Sequence, residues 1–261
     1  ILGFFVMIGA LMFLGCPIRM ILRLGGGDLN ALFGIAGFAG GIGFGTIFLK
    51  KGYSLQRTYA LSKLESAMMP AIQVGLLVLV VAAPAFIFFS QKGPGAMHAP
   101  WLISLAAGLV VGGLSQVSRL CTVGGFRDLF LFKKSILIFG YLAVLIGVFV
   151  VNISFGNFHL GFENQPIAHT DGLWNFLGMA LAGFCSVLLG GCPLRQLIMT
   201  GEGNSDSAVT VLGLAAGAAF AHNFGLAATG AGPTLNGEIA VGVGFVVALI
   251  IAILNTKRVN A

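Results

Sequence analysis

A five-residue motif occurs twice in this chain, each time where a long apolar run ends. Gly15-Cys16-Pro17-Ile18-Arg19 returns 176 residues later as Gly191-Cys192-Pro193-Leu194-Arg195. The match continues downstream, where Gly25, Gly27, Asn30 and Gly37 fall on Gly201, Gly203, Asp206 and Gly213. Proline cannot sit inside a helix without breaking it but suits a first turn, so each motif marks a helix break. Broken helices at matching places in two halves are the way repeat-built transporters make a site at the membrane midplane.

The setting must be a bilayer. Hydrophobic residues make up 57% of the 261 and charged residues only 8%, against roughly 25% in soluble domains. The expectation is an all-α polytopic membrane protein, with about eight spans plus short re-entrant helices in an inverted-repeat arrangement. The spans read at 1–15, 30–49, 67–89, 101–118, 135–151, 174–190, 205–222 and 237–254. Short helices follow the motifs at 17–24 and 193–200. Residues 1–100 read as the first repeat and 101–261 as the second, within one membrane domain. The run at 1–15 is short for a span and starts without a basic leader. The first repeat therefore reads as incomplete at its N-terminus.

Charge sets the orientation. The segments 50–63 and 127–134 and the tail at Lys257-Arg258 are basic, which places them and the C-terminus in the cytoplasm. The loops 90–100 and 152–173 then lie outside. The first helix runs outward and the 174–190 helix inward, so the two motifs enter from opposite faces. The net charge of +6 is explained by these loops and does not point to nucleic acid.

The motif has its own chemistry. Cys16 and Cys192 sit at the caps of short helices that open with Pro17 and Pro193. The first backbone N–H groups of such a helix lack partners and carry partial positive charge, which favours anions and activates thiols. Arg19 and Arg195 add full charge, although a snorkelling arginine is the plainer alternative. Cys121 stands at a third break, beside Gly124 and Gly125 and followed by Arg127. A soft anion such as thiosulfate fits this set: its oxygens accept N–H bonds and its terminal sulfur meets thiols. Cys185 lies mid-helix and reads as packing. His222 also reads as packing, Lys50, Lys51, Lys133 and Lys134 as orientation signals, and Glu65 as a partner for Lys63 or Arg57.

The repeated Gly-Cys-Pro-x-Arg, the run Leu24–Asn30, Ser118–Asp128 and Gly201–Ser207 together resemble the YeeE/YedE family of sulfur-compound membrane transporters. The wording is closest to its YedE-like branch of selenium transporters. The resemblance implies an inverted-repeat fold whose cysteines line a central path and pass the ion along by weak S–H hydrogen bonds. Carried over, those are Cys16, Cys121 and Cys192, with Pro17, Arg19, Gly124, Gly125, Arg127, Pro193 and Arg195 at the helix breaks. It also implies a further Cys and Arg-Asp segment upstream of Ile1.

The expected function is a bacterial inner-membrane permease for a small sulfur or selenium anion. A cytoplasmic sulfur-carrier protein is the expected partner, and no cofactor or metal is called for. The alternative is a membrane thiol enzyme that forms persulfide or disulfide intermediates on the same cysteines.

Overall fold

The structure is a computed structural model. It describes residues 1–55, 62–82, 91, 96 and 99–256. Arg57, residues 83–90 and the tail at Lys257-Arg258 lie outside the described residues, as do the side chains of Lys63 and Glu65.

The described residues form helices joined by turns, with only isolated β-bridges between them. The helices are α1 (Leu2–Phe13), α2 (Pro17–Gly25), α3 (Asn30–Lys50), α4 (Lys63–Ala82), α5 (Trp101–Val117), α6 (Thr122–Phe132), α7 (Ile136–Ser154), α8 (Gly172–Leu189), α9 (Pro193–Gly201), α10 (Ser205–Asn223) and α11 (Leu235–Leu254). Among the described residues, six segments are long and apolar enough to cross a membrane: Leu2–Gly25, Asn30–Lys50, Trp101–Phe132, Ile136–Ser154, Gly172–Gly201 and Leu235–Leu254. The spans expected at 67–89 and 205–222 fall on α4 and α10. This is an all-α polytopic membrane protein.

Burial sorts the helices. α8 is wrapped on nearly every side, and α1 and α3 pack along it. α5 and α7 instead expose Val117, Ile136, Phe139 and other large apolar side chains. In water such a surface would drive association; in a bilayer it is the lipid face.

Glycine sets the distances between the central helices. A Cβ at Gly37 of α3 would strike the Phe176 carbonyl of α8, and one at Gly41 would strike that of Ala180. Gly9 of α1 and Gly178 of α8 each face the other's backbone. Close backbone approach through small residues replaces the hydrophobic drive that is missing between helices in lipid. The matched glycines recur in matched contacts: Gly37 abuts α8, and its counterpart Gly213 abuts α1 at Phe4.

Turns at the two ends fix the bundle. At one end the segment 159–162 lies over the turn after α2. His159 N–H donates to Gly26 O (2.9 Å), Gly161 N–H to Gly27 O (3.1 Å) and Leu29 N–H to Gly161 O (3.0 Å). Gly27 makes this possible with φ +101, where a Cβ would also strike His159 O. At the other end the turn after α3 meets the end of α11, where Tyr53 bridges Thr256 and Ser54 N–H donates to Asn255 O (3.3 Å).

Candidate functional site

Three cysteines stand at three helix breaks of one design. α1 ends at Leu14 (φ 62), α5 is followed by Arg119 (φ 52), and α8 ends at Gly190 (φ 83). Each of these left-handed residues lies two positions before a cysteine. The next N–H reaches back five residues in every case: Gly15 to Ala10 O (2.8 Å), Leu120 to Ser115 O (3.1 Å) and Gly191 to Ser186 O (3.1 Å). This is the bonding of a Schellman stop. Each cysteine then opens a new helix as its N-cap: Cys16 for α2, Cys121 for α6, Cys192 for α9.

Pro17 and Pro193 occupy the first turns of α2 and α9, as the motif suggests. At the third break the span stops before Arg119, where the run 101–118 is expected to end, but Gly124 and Gly125, expected at the break, sit inside α6. They serve contact there. Gly124 N–H donates to Cys121 Sγ at 3.3 Å, and a Cβ on Gly125 would press on Ile138 of α7 at 3.2 Å.

Two of the thiols come together. Cys121 and Cys192 are buried in one apolar cluster with Phe13, Met20, Phe38 and Tyr141. Their side chains are within hydrogen-bonding reach of each other. The Cys192 thiol also faces the backbone N–H of Arg195 and the Thr122 side chain. Cys16 is half-buried. The Tyr141 hydroxyl lies within electrostatic range of both Cys192 and Cys16. Cys185 is fully buried in α8, as packing requires.

The arginines have different surroundings. Arg195 is tied down: Nη1 donates to Gln116 Oε1 of α5 (2.8 Å), and Nη2 lies 3.9 Å from Glu202. Arg127 pairs with its neighbour Asp128 at 2.8 Å. Arg19 folds back over Gly15, where a Cβ would crowd it. Its Nε is buried without a hydrogen-bond partner. Arg19 lines a cavity of about 450 Å³ together with Arg23, Asn152, His159 and Gln165. His222, expected to pack, is exposed at the end of α10.

The sequence reading did not single out Arg23, Asp28, His169 or Tyr141. Arg23 follows Arg19 by one helical turn, and that spacing was the available signal. Its Nε pairs with Asp28 Oδ2 at 2.6 Å, its Nη1 donates to Phe13 O at 2.5 Å, and its guanidinium lies 4.0 Å over the Phe13 ring. Asp28 Oδ1 accepts from the backbone and side-chain N–H of Asn30, both at 2.9 Å.

His169 is 2% exposed, in the connection between α7 and α8. Its Nε2 bonds Met12 O at 2.8 Å, and its Nδ1 accepts from Asp171 N–H at 3.3 Å. Those partners require the neutral Nε2–H tautomer. Burial pushes its pKa below the ordinary 6.5. The Met12 bond, Asp171 and Asp28 oppose this, and Arg23 adds to it. Below about pH 6.5 the unfolded chain therefore takes up a proton that the folded one resists. Stability should fall as pH drops through that range. Melting temperatures between pH 7.5 and 5.5 check this, and the slope should flatten in His169→Gln.

Among the described residues, no group of three or more His, Cys, Asp or Glu could hold a metal ion.

A family model described as "Sulphur transport" matches residues 117–257, more than half of the chain. The chain belongs to the sulphur-transport family. The matched stretch of this sulphur-transport protein contains Cys121 and Cys192, and Cys16 lies before it. Neither a curated protein nor a solved structure matches the chain. The family and the spanning helices make it a multi-pass membrane protein that transports a sulfur compound, with a bilayer around it and a small anion as substrate.

Proposed function

We propose that this protein is a permease for thiosulfate or a selenium oxyanion of similar shape, along a path lined by the thiols of Cys16, Cys121 and Cys192. The carrying observation is the triple break. Three cysteines cap three helices after the same left-handed stop, and two of the thiols meet. Each cap adds N–H groups with partial positive charge, and Arg19 and Arg195 add full charge nearby. The anion's oxygens take N–H donors while its soft sulfur or selenium takes S–H donors. No covalent bond is needed, so the ion can leave as readily as it arrives.

The path reading includes an inverted repeat, residues 1–100 against 101–261. The matched contacts of Gly37 and Gly213 support it, as do the matched stops at Leu14 and Gly190. Charge supports an orientation with Lys50, Lys51, Lys133, Lys134 and the C-terminus in the cytoplasm of a bacterium, the protein lying in its inner membrane. The selenium branch rests on motif wording alone. A cytoplasmic sulfur-carrier protein would accept the delivered sulfur.

The meeting of Cys121 and Cys192 favours one second reading, a thiol enzyme working through persulfide. One of these thiolates would take the terminal sulfur of thiosulfate, with sulfite leaving, and the persulfide would be visible as a mass shift during turnover. The permease leaves none.

Labelled thiosulfate and labelled selenite offered side by side to proteoliposomes test the proposal. Saturable uptake of one label identifies the substrate class. Absence of uptake by well-folded protein would contradict the permease.

A further inference from the structure

We propose that the hydroxyls of Tyr141 and Thr122 hold the oxygen atoms of the transported anion beside the thiols, so that the substrate is an oxyanion and not a bare sulfide. The inference rests on the permease reading.

Tyr141 belongs to α7 and is 8% exposed. Its ring is fixed edge-to-face on Phe126, with centroids 5.9 Å apart, and Phe126 stands in the same way on Phe38 at 6.0 Å. Its hydroxyl is buried with no hydrogen-bond partner and is close enough to Cys192 and Cys16 to interact with both electrostatically. Thr122 follows Cys121 and is 2% exposed. Its Oγ1 is likewise buried with no oxygen or nitrogen partner, and it is within hydrogen-bonding reach of the Cys192 thiol.

An unpaired buried hydroxyl is costly, and Phe or Val would fill the same volume without that cost. Here two hydroxyls from two helices, one with no partner and one with only a weak thiol partner, lie about the Cys192 thiol. The donors also sort by hardness. Hydroxyls suit the oxygens of thiosulfate, and thiols suit its terminal sulfur. Hydrosulfide offers no oxygen, and its soft sulfur is a weaker acceptor for O–H donors.

Reconstituted wild type, Tyr141→Phe, Thr122→Val and Thr122→Ser test this through KM for labelled thiosulfate and thermal unfolding. KM should rise roughly tenfold in the Phe and Val variants, the size of one hydrogen bond to a charged acceptor. Thr122→Ser, which keeps the hydroxyl, should stay near wild type. Melting temperatures should hold or rise. Hydrosulfide should gain by a similar factor as a competitor of thiosulfate in Tyr141→Phe. Unchanged KM in both Phe and Val variants would overturn the inference and leave the permease reading intact. So would losses that track a lowered melting temperature and are not rescued by serine. Absence of uptake in wild type would instead remove the permease reading, and this inference with it.

Discussion

Replacing Asp28 by Asn should destabilise the protein by about 3–5 kcal/mol, the cost of stranding one member of a buried ion pair. Asn keeps the shape, but it removes the charge and turns one acceptor oxygen into an N–H donor, which faces Arg23 when the remaining oxygen accepts from Asn30. The Arg23 side chain is 5% exposed and that of Asp28 4%, so water cannot take the carboxylate's place. Arg23 would keep only the Phe13 carbonyl and the face of the Phe13 ring. The damage should spread because Asp28 sits in the turn that the segment 159–162 covers.

The second copy of the repeat contains the remedy. Positions 23 and 28 correspond to Met199 and Asn204, a neutral pair. Arg23→Met combined with Asp28→Asn should therefore recover most of the loss. Thermal unfolding in detergent reads both variants. An Asp28→Asn protein that melts like wild type would show that the pair contributes nothing.

Much of this fold was legible because punctuation in the sequence is physical. Pro17 and Pro193 can only open helices, and α2 and α9 begin at them. Lys50, Gly201 and Asn204 mark ends that the apolar runs already imply. The third break was harder. Gly124-Gly125 looks like a breaker, yet the left-handed stop falls on Arg119, a residue with no preference for that backbone region. The covering of α2 by 159–162 was not legible either, because its bonds join backbone groups that any side chain would allow. Tyr141 was hidden for another reason. Inside an apolar window it counts as one more span residue, and only packing shows its hydroxyl among thiols. The Arg23–Asp28 pair had a signal in the spacing of Arg19 and Arg23, but its partner five residues on lies across a glycine turn.

Removing the thiols should have the largest effect on transport. Cys121 and Cys192 are within hydrogen-bonding reach of each other, and Tyr141 lies within electrostatic range of both Cys192 and Cys16. Alanine at Cys192 deletes a buried sulfur, which costs a small packing loss of about 1 kcal/mol. It also removes the one group that faces Cys121, Thr122 and the Arg195 N–H together. An ion crossing that point would lose its soft donor and keep only N–H and hydroxyl donors. Uptake should drop at least tenfold in Cys192→Ala, and fall to background when Cys16→Ala is added. Cys185→Ala is the control, since its thiol is fully buried in α8 and away from the breaks.

The most direct measurement is thiosulfate uptake into proteoliposomes by wild type, Cys185→Ala and the Cys16→Ala/Cys192→Ala double variant at equal reconstituted amounts. The thiol path predicts uptake in the first two and background in the third. Wild-type uptake by the folded double variant would contradict it.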